Sequence, residues 1–232
     1  MNPVLSAIVL CYRAGESIGM VIDPLYEQLE ADGVPFELVL VANYNAGQDD
    51  ATPDIVRQWA AEREHVTVVA EVKQGAMGWD MRTGFAAAQG DYLLVIDGDA
   101  QNPPEDLSEM YRRMKANRAD VMKGRRIARF DGPYRRIVSG VFNLVFMILF
   151  RTRGLWDING KPKGLTRAAY EQLDLTADDW FIDAEIVLEA QRHGLRIIEM
   201  PVIFRRNEER ASFVRFSAIW EFVGNMARTR LR

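Results

Sequence analysis

Several common protein classes are excluded by what the sequence lacks. It has one cysteine, Cys11, which excludes an internal disulfide and fits a reducing compartment. Its two histidines, His65 and His193, lie outside any metal-ligand spacing. A formal net charge of −4 argues against a general nucleic-acid binder. The turn "CYRAGESIG" lacks the G-x-G-x-x-G fingerprint of dinucleotide-binding oxidoreductases.

Long apolar runs are also missing. No stretch reaches the roughly 18 consecutive apolar residues of a membrane span. The nearest, 137–150, is broken by Ser139, Gly140 and Asn143, and it is typical of a buried helix or of a helix at a membrane interface. The first twelve residues have no basic leader, so we predict no secretory signal and a cytoplasmic protein.

The first half of the chain alternates strand-like and helix-like segments. Apolar runs rich in Val, Ile and Leu, without clean polar alternation, predict strands buried on both faces. These predicted strands are 5–12, 36–42, 66–72, 92–96 and 120–124, and the helices between them are 17–32, 52–64, 76–89 and 104–117. This order predicts an α/β fold with a mainly parallel, doubly wound sheet.

The second half is less regular. A helix is predicted at 135–150, followed by a turn-rich segment at 152–167. A second helix at 181–193 leads into a strand at 195–204, and the pattern of the tail predicts an amphipathic helix over 213–232.

Two acids end the fourth predicted strand. In "VIDGDAQNPPEDL", Asp97 and Asp99 follow an apolar run, and alternation along an extended chain would bring them to one side with Gln101. Gly98 between the two acids would permit close approach of a ligand. Two such acids repel each other unless a cation lies between them, and Mg²⁺ or Mn²⁺ takes carboxylate and phosphate oxygens. The simpler interpretation is a helix start, capped by Asp99 or Asn102.

This segment resembles a known family. "DGDAQNPPE" matches the D-x-D-x-Q-x-P-P-E metal segment of family 2 glycosyltransferases with the GT-A fold, in the branch of dolichyl-phosphate mannose synthase and polyprenyl-phosphate sugar transferases. Upstream, the stretch from Lys73 to Asp91 resembles the family's K-x-x-G stretch, and "FIDAEIVLEAQRHGLRIIEMPVIF" resembles its D-x-E helix and E-V-P-V strand.

The resemblance implies residues for the donor site. The cofactor would be Mg²⁺ or Mn²⁺, and the donor a nucleotide-diphosphate sugar. The implied metal residues are Asp99, Gln101 and Asp97. The implied donor-binding residues are Tyr12, Arg13, Glu16, Asn43, Lys73, Asp97, Gly98, Arg206 and Arg210.

Two loops depart from the family pattern. The first strand of the family usually ends Y-N-E, whereas this chain has Tyr12, Arg13 and Ala14. The second strand usually ends V-D-D-G-S, and here Asn43 stands where a carboxylate would accept a base N–H. The base of the donor is therefore left open, and a non-catalytic nucleotide-sugar-binding protein is an alternative.

The acceptor side is implied by the same resemblance. Arg135, Ser139 and Asn143 lie on one stripe of the 135–150 helix, and the family grips a polyprenyl phosphate with Arg and Ser at this spacing, with Arg125 or Arg126 as the second arginine. Asp157 and Asp183, with Asp97, are the candidate catalytic residues, and a turn aspartate or a helix-start acid is the ordinary interpretation of the first two.

The prediction is a metal-dependent, inverting transfer of a sugar to a polyprenyl phosphate. The glycosyltransferase domain would span 1–212, with a donor half at 1–124 and an acceptor half at 125–212, followed by the helix at 213–232. The helices at 137–150 and 213–232 would contact a membrane peripherally, at its cytoplasmic face. The alternative within enzymes is transfer to a sugar, small-molecule or protein hydroxyl, for which Asp183 or Asp157 would be the base.

Overall fold

The fold is described from a computed structural model, which covers residues 3–129, 133–152 and 154–205, with side chains except at 129 and 133–138. The side chain of Arg135, the residues Arg206 and Arg210 and the predicted helix at 213–232 lie outside the described residues.

Among the described residues, seven strands form a single sheet. They are β1 (Leu5–Leu10), β2 (Phe36–Val41), β3 (Val66–Val69), β4 (Tyr92–Asp97), β5 (Val121–Arg129), β6 (Lys163–Thr166) and β7 (Ile197–Phe204). Their order across the sheet is β3-β2-β1-β4-β6-β5-β7. All pairs are parallel except those of β6, which runs antiparallel to both β4 and β5. The predicted mainly parallel sheet is confirmed.

In the part of the chain that the structure describes, seven helices connect the strands. They are α1 (Gly19–Asp32), α2 (Thr52–Ala61), α3 (Met77–Ala87), α4 (Glu105–Asn117), α5 (Pro133–Phe150), α6 (Arg167–Tyr170) and α7 (Ile182–Arg192). A short 3-10 turn, Gly15–Ile18, precedes α1. The sequence predicts every helix except α6, and it misses β6 as well, because both lie in or beside the turn-rich segment.

Helices cover both faces of the sheet. Leu38 and Leu40 of β2 face a core cluster shared with α1 and α4, whereas Val39 and Val41 face a second cluster shared with α3 and α7. A strand covered on both faces needs apolar residues at every position. This is why the first strands appear in the sequence as nearly continuous apolar runs, and the buried polar pair Ser6 and Glu37 within them is hydrogen-bonded.

A third, smaller core lies under α5. Phe146 of this helix packs with Leu155 and Ile158 of the following loop and with Phe181 and Val187 near α7. The opposite face of α5 carries an exposed apolar stripe at positions Val141, Leu144, Val145, Ile148 and Leu149. Among the described helices, none is both long enough and apolar enough to cross a bilayer.

Candidate active site at the carboxyl edge of the sheet

The metal-segment residues lie where β4 ends, at the edge where parallel sheets bind ligands. The sequence predicts an extended chain beyond Asp97, but the structure shows a turn there, with Ala100 in the left-handed region at φ 57°. A non-glycine residue at positive φ costs about 1 kcal/mol, so the turn is held by its surroundings. The extended geometry was therefore wrong, because β4 ends at Asp97.

Hydrogen bonds hold this turn. The backbone N–H of Gln101 donates to Asp99 Oδ1 at 3.0 Å, and the Gln101 side-chain amide donates through Nε2 to the Arg205 carbonyl at 3.0 Å. The latter bond uses the amide nitrogen and not the oxygen that a metal would take. The backbone N–H of Arg205 also donates to the Gln101 carbonyl, at 2.8 Å, so the turn is tied to the end of β7.

The helix-start interpretation of this segment is not what the structure shows. The N-cap of α4 is Pro104, and it has no side-chain capping hydrogen bond. Asn102 instead donates to the Lys161 carbonyl at 3.2 Å. The structure itself requires a glycine at position 98, since a Cβ there would lie 2.7 Å from the Leu10 carbonyl oxygen.

A buried ammonium group lies behind Asp97. Lys161 Nζ is 3.5 Å from Asp97 Oδ1, 4.0 Å from Asp183 Oδ2 and 3.4 Å from the sulfur atoms of both Met77 and Met81. Burial lowers the pKa of Lys161, but Asp183 and Asp97 raise it more, so its pKa lies above the ordinary value and the group is charged. No motif in the sequence marks Lys161.

Asp183, a predicted catalytic residue, is held between two lysines. Its Oδ1 accepts from Lys163 Nζ at 2.6 Å, and only 2% of the residue is exposed. Burial raises the pKa of the Asp183 carboxyl, but Lys161 and Lys163 lower it more, so the pKa lies below its ordinary value. Asp183 is a poor proton acceptor in this arrangement.

Asp157, the second candidate base, is paired with Arg126. The Arg126 guanidinium donates to both carboxylate oxygens, at 2.7 and 2.8 Å, and the Arg126 backbone N–H donates to Oδ2 at 3.0 Å. Burial raises the pKa of Asp157, but Arg126 lowers it more, and the net pKa is below its ordinary value. The predicted phosphate-binding arginine and the predicted base thus bind each other.

The loop that carries Asp157 is fixed from behind by Glu199 of β7. One oxygen, Oε1, accepts from Lys123 Nζ at 2.5 Å, from the Trp156 N–H at 2.8 Å and from the Asp157 N–H at 3.1 Å. Lys123 is fully buried, and its Nζ also donates to the Asp157 carbonyl at 2.5 Å. This cluster sets the position of the loop between α5 and β6.

Three residues of the predicted acceptor stripe lie on α5, and side chains are described for two of them, Ser139 and Asn143. Asn143 accepts through Oδ1 from the Ile158 N–H at 3.1 Å, which ties the helix to the same loop. Ser139 is half-buried, one turn before Asn143. Ser139 and the Arg126–Asp157 pair therefore lie in the acceptor half predicted from the sequence, and their contact with a phosphate stays a prediction.

Five of the predicted donor residues lie beyond β1, β2 and β3: Tyr12, Arg13, Glu16, Asn43 and Lys73. The Tyr12 hydroxyl accepts from Asn45 Nδ2 at 2.7 Å, and the Lys73 ammonium lies 4.2 Å from the centre of the Tyr12 ring. Asn43 is fully buried. Arg13 lies on the loop that follows β1 and Glu16 on the short 3-10 turn after it, and both are exposed.

The metal segment fits a divalent cation only in part. Nowhere in the described part of the chain do three or more His, Cys, Asp or Glu side chains converge closely enough to hold a metal ion. Asp99 and Asp97 supply carboxylate oxygens and Gln101 an amide oxygen, which suit Mg²⁺ or Mn²⁺ when substrate oxygens complete the shell. The residues therefore fit a metal that binds together with a diphosphate.

Comparison with known proteins gives one family and one fold. The model of the family described as glycosyl transferase family 2 matches residues 6–174. Glycosyltransferase AglD of Haloferax volcanii is 29% identical over 208 residues, which are 85% of this chain and 32% of that protein. The undecaprenyl-phosphate 4-deoxy-4-formamido-L-arabinose transferase of Pectobacterium carotovorum is 26% identical over 142 residues, 61% of this chain and 42% of that protein. The chain thus spans about a third to two fifths of these relatives' length.

Among solved structures, the fold resembles glucosyl-3-phosphoglycerate synthase of Mycobacterium tuberculosis in complex with Mn²⁺, UDP and phosphoglyceric acid. The TM-score is 0.71 at 16% sequence identity, and the match covers 99% of this chain and 76% of that one. At this identity the likeness concerns the fold alone.

Proposed function

The chain belongs to glycosyl transferase family 2, with the GT-A fold, and we propose that it moves a sugar from a nucleotide-diphosphate sugar to a polyprenyl phosphate. The transfer would need a divalent metal and would invert the anomeric carbon. Two curated relatives support this acceptor by name, since both are undecaprenyl-phosphate transferases.

One observation carries the choice of acceptor: both candidate bases are engaged in buried ion pairs. A hydroxyl acceptor must lose its proton to a base in the transition state, and a useful base has a pKa near the working pH. Asp157 and Asp183 both have pKa values below the ordinary value, because of Arg126 and of Lys161 with Lys163. A phosphate monoester is already an anion and needs no such base.

The donor side supports a diphosphate leaving group. Asp99, Gln101 and Asp97 would hold Mg²⁺ or Mn²⁺, and the bound metal supplies positive charge that neutralises the leaving diphosphate. Lys161 adds a fixed positive charge behind Asp97. Tyr12, with the Lys73 ammonium against its ring, would provide the aromatic surface on which the nucleotide base lies. Arg206 and Arg210, predicted as diphosphate contacts, remain predictions.

The acceptor side supports a lipid. Ser139 lies on α5, whose exposed stripe, Val141, Leu144, Val145, Ile148 and Leu149, is wholly apolar. Large exposed apolar patches mark interaction surfaces, and an amphipathic helix of this kind binds at a membrane interface. We propose that α5 lies against the bilayer beside the lipid chain, while Arg126, Arg135 and Ser139 contact the phosphate.

Two acceptors that differ only in the phosphate test this function. The purified chain would be incubated with radiolabelled UDP- or GDP-sugars, with Mn²⁺, Mg²⁺ or EDTA, and with either undecaprenyl phosphate or undecaprenol. We expect a labelled lipid only with undecaprenyl phosphate and only with metal. Equal transfer to undecaprenol would favour the hydroxyl-acceptor alternative. Tight nucleotide binding without transfer to either acceptor would favour the non-catalytic alternative.

A further inference from the structure

A carboxylate that no sequence motif marks lies beside two of the predicted donor residues, Asn43 and Lys73. Asp80 belongs to α3, and its side chain is buried, with 3% of the residue exposed. Its Oδ1 accepts from Asn43 Nδ2 at 3.0 Å, and its Oδ2 forms a very short contact with Lys73 Nζ. The carboxylate therefore lies directly beside the strand end where the sequence has an asparagine.

The side-chain amide of Asn43 makes hydrogen bonds within the protein through both its nitrogen and its oxygen. Its amide nitrogen donates to Asp80 and, at 2.9 Å, to Thr83 Oγ1, and its amide oxygen accepts from the Glu71 N–H at 2.9 Å. Asn43 thus joins the end of β2 to α3 and to the segment that precedes Lys73. The negative charge of this corner comes from the helix and not from the strand end.

Lys73 is fixed by the same arrangement. Its ammonium contacts Asp80, donates to the Ala76 carbonyl at 3.3 Å and lies 4.2 Å from the centre of the Tyr12 ring. The side chains of Lys73 and Asp80 are each only 5% exposed. Without a carboxylate beside it, an ammonium buried to this extent would lose its charge or turn toward water.

We propose that Asp80 is a positioning residue for the nucleotide of the donor: it holds Lys73 against the Tyr12 ring and thereby fixes the ring on which the base lies. This inference rests on the proposed function, because it assigns the pocket to a nucleoside diphosphate. The carboxylate that the family pattern has at the end of β2 is here on α3, where it is hydrogen-bonded to Asn43.

Exchanging the two side chains is the direct test. Asp80→Asn removes the charge, and Asn43→Asp places two carboxylates about 3.0 Å apart. The double variant Asn43→Asp/Asp80→Asn restores one carboxylate and one amide. The new amide on α3 would donate to the new carboxylate at the end of β2, which would still accept from the Glu71 N–H. A matched control is Glu37→Gln, which alters a buried carboxylate at the opposite end of β2, bonded to Ser6 Oγ at 2.6 Å.

Binding of UDP and of GDP would be measured by calorimetry with Mn²⁺, together with the KM for the donor and kcat. We expect each single variant to weaken binding of the preferred nucleotide about 10-fold or more, chiefly through KM. The double variant should return to within about 3-fold of wild type, and Glu37→Gln should lower the melting temperature without changing affinity. A folded Asp80→Asn protein with wild-type affinity would overturn the proposal.

Substitution of Lys73 provides a second test, which does not require that the double variant Asn43→Asp/Asp80→Asn folds. Lys73→Met should weaken nucleotide binding about as much as Asp80→Asn, and the pair combined should weaken it little further, because Asp80 acts through Lys73. Additive losses would contradict the proposal. If the wild-type chain binds neither nucleotide, the proposed function fails first, and that outcome is distinct from a failure of the role given to Asp80.

Discussion

Arg126 and Asp157 form a two-point ion pair in which Nη2 lies 2.7 Å from Oδ1 and Nε lies 2.8 Å from Oδ2. Their side chains are 12% and 8% exposed. Both residues were predicted from the sequence for separate roles, phosphate binding and proton transfer. The pair makes them one unit that fixes the loop between α5 and β6, which we call the acceptor loop, against β5.

Breaking this pair should destabilise the fold. Asp157→Asn or Arg126→Gln leaves a buried charge unpaired, and we expect each to lower the free energy of unfolding by about 3 kcal/mol, measured by urea denaturation. The double variant should cost less than the sum of the two. Arg57→Gln, at an exposed pair with Asp54, is the control and should cost under about 1 kcal/mol. If Asp157 is instead the catalytic base, Asp157→Asn will remove the acidic limb of the kcat–pH profile.

Lys161 should weaken metal binding and increase kcat. Lys161→Met removes a positive charge 3.5 Å from Asp97 Oδ1, so repulsion of a bound Mn²⁺ should fall by about 1 kcal/mol. We expect Mn²⁺ to bind about 5-fold more tightly in the presence of UDP, measured by calorimetry, while kcat falls. Lys161→Arg, which keeps the charge, should show wild-type metal affinity. Weaker Mn²⁺ binding in Lys161→Met would contradict the electrostatic role.

Gly160 should tolerate no side chain. A Cβ at this position would overlap the Gly124 carbonyl oxygen, where the acceptor loop crosses β5. Gly160→Ala should destabilise the protein by about 2 kcal/mol or more, measured by urea denaturation. Gly140→Ala is the matched control: a Cβ there meets nothing within 4 Å, and the change should stabilise α5 by up to about 1 kcal/mol. Equal stability of the two variants would show that the loop can move away from β5.

The stability of the protein should fall as Asp106 ionises. Burial raises the pKa of Asp106, in the first turn of α4, to about 6, against about 3.9 in an unfolded chain. The folded state therefore binds more protons between about pH 4 and 6, and stability decreases as the pH rises through that window. Asp106→Asn should gain about 1 kcal/mol at pH 7, after allowance for solvent, and nothing near pH 4. Asp54→Asn, in the first turn of α2 and 88% exposed, is the control variant in the same thermal melts.

The exposed stripe of α5 should bind membranes. Leu144→Ser with Ile148→Ser removes two exposed apolar side chains, which are 53% and 66% exposed, and should weaken binding to anionic vesicles at least about 10-fold in a co-sedimentation assay. Met20→Ser, at a single exposed residue on α1, is the control and should bind as wild type. Unchanged sedimentation of the α5 variant would remove this helix from the membrane contact.

The sequence predicts the strands that are buried on both faces, because such strands must be apolar at most positions. It misses β6, whose four residues include Lys163 and Gly164, neither of which favours a strand. β6 is held by its partners β4 and β5, so tertiary pairing overrides local preference there. The family relationship and the GT-A fold were predicted and are confirmed.

The sequence could not predict the buried charges of the site. Lys123, Lys161 and Lys163 are all at most 3% exposed, whereas lysine normally indicates a surface. Asp80 likewise has the pattern of an ordinary acid in the first turn of a helix. Each becomes visible only when distant segments meet, because its partner lies in another element of the fold.

The antiparallel strand β6 also limits how the two halves of the chain can be recombined. It follows the acceptor loop in sequence, yet it pairs with β4, which carries the metal segment, and with β5 on its other side. In a chimera that joins residues 1–124 of this chain to the second half of a relative, the β4–β6 and β5–β6 pairings would both have to form with a strand from the other protein. Donor and acceptor specificity should therefore be exchanged between relatives by grafting single loops and not by joining halves of two chains.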